Sequence, residues 1–177
     1  VARVIVSSGN CEPPFATYCW ASQQAYAERV EASCTVIKER GGNTLWHRLP
    51  HILENSEMGD VILFAEWDIY IRPGAADVFQ VHVAEKLSLF PAVYDPENIG
   101  IVMATHEVFA AISDKMPAER KTSSKGYEMI FLKAVQEAGV EVQKLDGWVS
   151  CFPNNSRPFN HAFGVAKWSR KPESLFR

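Results

Sequence analysis

The chain of 177 residues lacks any apolar run near the eighteen or so that a membrane-spanning helix requires. It also lacks a long basic run, and its net charge is -3. Binding to a nucleic-acid polymer rests on neutralising many phosphates, so that partner is excluded. A single nucleotide is still allowed, because two or three local cations suffice to hold it. Cysteine is scarce: Cys11, Cys19, Cys34 and Cys151 show no two-residue spacing of the kind that marks zinc sites or redox pairs. They read as reduced thiols in or near the core. The chain also lacks internal repeats and low-complexity tracts. No leader pattern is visible, and Val1 enters a strand almost at once, so the expectation is a processed or trimmed chain, soluble and cytoplasmic.

What is there is the composition of an ordinary globular protein, 47% hydrophobic and 22% charged. One domain over residues 1–177, with a sizeable core, is expected. The most informative stretch is residues 60–79, DVILFAEWDIYIRPGAADVF. Val61, Ile62, Leu63, Phe64 and Ala65 are apolar and largely β-branched or aromatic, which predicts a strand buried on both faces of an α/β sheet. Glu66 and Asp68 follow, then a second apolar run at 69–71 and a turn at Pro73-Gly74. Open α/β sheets bind ligands at the carboxyl ends of their strands, where this acid pair falls. In an extended segment the two carboxylates would point the same way. Together they could hold a divalent cation, and through it a diphosphate. A surface turn with two solvated acids has the same spelling.

Strands and helices alternate elsewhere. Residues 3–7 predict a first strand, followed by turn chemistry at Ser8-Gly9-Asn10 and Pro13-Pro14. This loop has neither the glycine spacing nor the lysine of a familiar phosphate loop. The spacing predicts helices over 15–30, 44–54, 105–113 and 127–138, and strands over 33–38, 99–104 and 140–145. Pro50 fits the second helix only in its first turn. Residues 78–90 are apolar without a clear period and carry no assignment, and the polar segment 117–125 reads as a loop or lid. His47 and His51 have a spacing that can bind metal on a helix. With Pro50 between them and no acid nearby in sequence, surface histidines are the expectation.

Near the end stands Phe159-Asn160-His161-Ala162-Phe163-Gly164-Val165-Ala166-Lys167-Trp168. It offers an imidazole for a metal, a glycine that a phosphate can approach, and a fixed positive charge. An exposed tail with one histidine and one lysine is the plainer account. Taken with the acid pair, this His-x-x-Gly-x-x-Lys spacing resembles glycosyltransferases of the glycogenin and bacterial lipopolysaccharide galactosyltransferase type. The resemblance runs through the opening strand and loop, residues 46–49, the acid motif, residues 73–79 and the tail. This chain departs from it in having Glu66 where the motif opens with Asp, bulky Trp67 between the acids, Tyr127-Glu128 where Asp-Gln is frequent, and Trp168 directly after the lysine. The chain is also shorter than typical members.

The resemblance implies the A-type glycosyltransferase fold, an α/β nucleotide-sugar-binding sandwich on a central mixed, mostly parallel sheet. It implies a transferase that moves a sugar, with retention, from a nucleotide-sugar donor to a carbohydrate or glycoconjugate acceptor, with uridine diphosphate sugars first among donors. Asp68, His161 and Glu66 would hold a divalent ion, manganese or magnesium. Ser7 and Ser8 would meet the base and ribose, Arg48, Gly164 and Lys167 the phosphates or donor sugar, and Glu128 would take a catalytic position. The alternative is a non-catalytic nucleotide- or sugar-binding module of the same fold. A nucleotidyltransferase should carry a basic, glycine-rich loop, and residues 8–14 contain no lysine or arginine.

Overall fold

The computed structural model describes residues 1–9, 15–39, 45–92, 98–151 and 157–161. Its centre is a six-stranded sheet built from β1 (Arg3–Gly9), β2 (Ser33–Lys38), β3 (Val61–Glu66), β5 (Lys86–Leu89), β6 (Ile101–Thr105) and β7 (Glu141–Lys144), in the order β2-β1-β3-β6-β5-β7. β1 runs parallel to both β2 and β3, and β5 parallel to β7. β6 is antiparallel to both of its neighbours, β3 and β5. The sheet is therefore mixed, with β6 alone reversed. A second sheet joins β4 (Ile69–Ile71), β9 (Phe159–His161) and β8 (Val149–Cys151).

The inner strands are buried on both faces, and alternate residues divide between two cores. Val4, Val6, Ile62, Phe64, Val102 and Ala104 face one core. There they meet Leu49 and Ile52 of α2 (Arg48–Glu54), Phe109 and Ile112 of α3 (His106–Ser113), and Tyr127, Phe131 and Val135 of α4 (Ser124–Glu137). Ile5, Leu63, Ala65, Ile101 and Met103 face the other core, against Tyr26, Ala27 and Val30 from α1 (Phe15–Arg29) and its end, and against Ile69, Ile71, Val149 and Phe159 of the small sheet. Helices and small sheet thus cover both sides, and the carboxyl ends of the parallel strands β1 and β3 lie together at one end of the sheet.

Several boundaries differ from the sequence expectation for physical reasons. α2 begins at Arg48 rather than 44, which puts Pro50 in the first turn, where a missing N–H costs no helical bond. α4 begins at Ser124, because Ser123 caps it: its side chain accepts from the Gly126 N–H at 3.1 Å. The unassigned stretch holds a 3-10 turn at Val78–Gln80 and β5. Asp77 caps that turn by accepting from Phe79 N at 3.0 Å. Cys19 is buried and Cys34 partly so, and neither forms a disulfide among the described residues. Among the described residues, no helix is long and apolar enough to cross a membrane.

Candidate functional site

Glu66 ends β3, opposite Ser8 of β1 in the parallel register. The chain then turns through Trp67 and Asp68 and leaves the large sheet, re-entering at Ile69 as β4 of the small one. The two acids accordingly do not share one extended segment. Instead of the same-side alignment expected of an extended segment, a turn hands the chain from one sheet to the other.

That turn is held from several sides. Gln23, fully buried on α1, donates through Nε2 to the Glu66 carbonyl at 3.1 Å and to the Ile69 carbonyl at 2.9 Å, bracketing Trp67 and Asp68. The Trp67 indole lies so close to the Gly9 backbone that a Cβ there would stand 1.9 Å from its Cδ1. Asp68 is 1% exposed. Gly100 makes similar room for Glu66, since a Cβ would fall 2.5 Å from Oε2. The Glu66 N–H donates to the Gly100 carbonyl at 2.8 Å.

Arg48 is the buried cation of the site. It forms an ion pair with Glu66 through Nη2 and Oε1, and Nη1 donates to the Ile99 carbonyl at 3.3 Å. Its guanidinium lies 5.6 Å from the Phe64 ring centroid and 5.5 Å from that of Tyr127, so aromatic faces support it from the core side. Burial lowers its pKa from the ordinary value, and Tyr127, Asp68, Glu128 and Glu39 oppose that fall electrostatically. Glu128 sits on the first half of α4, with its carboxylate 3.2 Å from Lys125 Nζ. Ser7 and Ser8 are buried at the end of β1, and Ser7 Oγ accepts from Trp20 Nε1 at 3.0 Å.

The fold therefore brings Ser7, Ser8, Arg48, Glu66, Asp68 and Glu128 to one end of the sheet. His161 belongs to β9, where its backbone stands opposite Ile69, one residue from Asp68. Gly164 and Lys167 lie outside the described residues. Sequence reasoning missed Gln23 and Gly100. Gln23 falls on the same helical stripe as Cys19, Tyr26 and Val30, all buried, and a polar residue on such a stripe is a signal that it has buried partners. Sequence reasoning also placed His47 and His51 at the surface with no acid. In the fold Glu39, just past β2, reaches both, with Oε2 3.2 Å from His47 Nδ1 and Oε1 3.2 Å from His51 Nε2.

No family model matches the chain, and no curated protein matches it. Solved structures do. A glycosyltransferase involved in glycosylating the major capsid of PBCV-1 is similar over 98% of both chains, with 13% identity and a TM-score of 0.70. Drosophila beta-1,4-galactosyltransferase 7, solved with manganese, UDP-Gal and xylobiose, is similar over 96% of this chain and 74% of its own, with 13% identity and a TM-score of 0.61. The inositol-1-phosphate CTP transferase of T. maritima is similar over 99% and 95%, with 12% identity and a TM-score of 0.53. The fold is that of the nucleotide-diphospho-sugar transferases, the A-type glycosyltransferase fold.

Proposed function

We propose that this chain is a metal-dependent glycosyltransferase that moves a sugar from a nucleotide-sugar donor, a uridine diphosphate sugar first among candidates, to a carbohydrate or glycoconjugate acceptor with retention. The observation that carries the reading is the convergence of Asp68, Glu66, Arg48 and Glu128 at the carboxyl ends of β1 and β3, with the His161 backbone opposite Ile69, the residue after Asp68. Strand ends of this kind are where α/β sheets meet nucleotides. The glycosyltransferases of the same fold support the assignment, and one of them was solved with manganese and UDP-Gal.

Asp68 and His161 would hold the divalent ion. When bound, such an ion supplies positive charge to a departing diphosphate. Arg48 acts in this reading as a positioning residue: its guanidinium fixes the Glu66 carboxylate, and Asp68 would be the acid that takes the ion. Ser7 and Ser8 would meet the base and ribose, Gly164 and Lys167, outside the described residues, would meet the phosphates or donor sugar, and Glu128 would take the catalytic position. Lys167 would add a fixed cation as negative charge builds on the leaving group.

The fold also serves nucleotidyl transfer, as in the T. maritima enzyme. Sugar transfer is favoured here because residues 8–14, after the first strand, contain no lysine or arginine to clamp a triphosphate. Calorimetric titration of uridine diphosphate, with and without manganese, tests the proposal. Manganese should raise the affinity at least about tenfold, or 1.4 kcal/mol, and Asp68→Asn should remove that gain. Equal binding in manganese and in chelator would overturn the metal assignment.

A further inference from the structure

Glu39, His47 and His51 lie outside the machinery just described, yet they are arranged as ligands. We propose that they form a second cation site that takes a zinc-class divalent ion and clips the end of β2 to α2. Two imidazoles and a carboxylate are the donor set that borderline ions such as zinc prefer, in contrast to the harder surroundings that suit manganese.

Three observations support this. The candidate ligand atoms all lie within 4.8 Å of one another. Donors held about 2.0 to 2.2 Å from one tetrahedral ion stand roughly 3.3 to 3.6 Å apart, and Glu39 approaches each histidine to 3.2 Å, His47 through Oε2 and His51 through Oε1. The Glu39 side chain is only 6% exposed, and its Oε1 and the buried His51 Nε2 face each other at 3.2 Å without forming a hydrogen bond with each other or with any other group among the described residues. Two buried polar atoms left in that state are costly unless something between them satisfies both.

The surroundings complete the case. His47 and His51 occupy positions four apart at the start of α2, so one helical turn sets their spacing. The outer nitrogen of His51, Nδ1, lies 3.9 Å from Glu54 Oε2, and a carboxylate on that side orients a metal-bound imidazole. His47 is 41% exposed, which leaves a route for an ion to enter. His47 is the N-cap of α2, so an ion here fixes the start of that helix directly beside Arg48.

The test is zinc binding by the full chain without nucleotide, measured by competition with a chromophoric chelator, and cobalt binding followed by its visible d–d absorption. Expected is one zinc per chain. His51→Ala, and separately His47→Ala, should each lower zinc affinity at least about tenfold. Asp68→Asn should leave it unchanged. In the wild-type chain, cobalt should give the intense bands of a four-coordinate nitrogen and oxygen site, displaced by zinc, and this readout does not depend on any variant folding. A wild-type chain that binds no zinc would overturn the proposal. So would a His47→Ala/His51→Ala double variant that keeps its zinc, which would place the ion at the cysteines or elsewhere. Loss of zinc on Asp68→Asn would assign the ion to the nucleotide site and overturn it equally.

Discussion

At the residue scale the decisive pair is Arg48 and Glu66. A guanidinium with a side chain only 10% exposed is tolerated because a carboxylate, a carbonyl and two aromatic faces surround it. Arg48→Met keeps the packing of the stem and leaves the Glu66 carboxylate without its cation. The expected cost is about 3 kcal/mol in urea unfolding, because removing one partner strands the other. The double variant Arg48→Met/Glu66→Gln should recover part of that loss, since the stranded charge is gone. A single variant as stable as the parent would show that the pair does not hold the site together. Ordinary sequence reading sends an arginine near a nucleotide site to phosphate. It has no means of seeing that Phe64, Tyr127 and Glu66 enclose this one.

At the scale of elements, the site depends on the passage from β3 to β4. The buried strand, the acids and the second apolar run were all legible at 60–71, and so was the alternation of strands and helices. The change of sheet between Glu66 and Ile69 was not, because local periodicity carries no information about which strand a segment will pair with. Glu39 illustrates the same limit. It meets His47 and His51 only because β2 and α2 fold against one end of β1, and spacing along the chain hides that meeting. The tail motif was legible as chemistry, and of its three residues only the backbone of His161 enters the described fold.

Gln23 is the element-scale test of that passage. Gln23→Met removes donors to the Glu66 and Ile69 carbonyls, and an unsatisfied buried carbonyl costs about 1 to 3 kcal/mol. If Gln23 positions Asp68, the variant should also weaken manganese-dependent binding of uridine diphosphate while leaving metal-free binding unchanged. A purely structural glutamine would lower stability and leave the manganese gain intact. Calorimetry on the folded variant separates the two outcomes.

At the scale of the whole molecule, buried acids of the weak kind set the response to alkali. Burial pushes the Cys34 thiol from 9.0 up to about 11. Burial also pushes Tyr26, Tyr70 and Tyr127 from 10.0 up to about 12. These groups hold their protons more tightly folded than unfolded, so the folded form binds more protons above the unfolded values. Their contribution is complete below pH 9.0 and is lost as pH rises from there through about 12. Unfolding free energy should fall steadily over that window, and Cys34→Ala should flatten its first part. A stability that stays level through it would contradict the burial of these side chains.

The proposed function gives Asp68 a central role, that of serving a metal-bound sugar nucleotide. Release of free nucleoside diphosphate from a panel of sugar nucleotides, in manganese and in chelator, measures that claim directly. The account predicts release from at least one uridine diphosphate sugar in manganese, none in chelator, and a loss of at least about a hundredfold on Asp68→Asn, close to 3 kcal/mol of transition-state stabilisation. Release that continues unchanged in chelator, or in the folded Asp68→Asn variant, would contradict it.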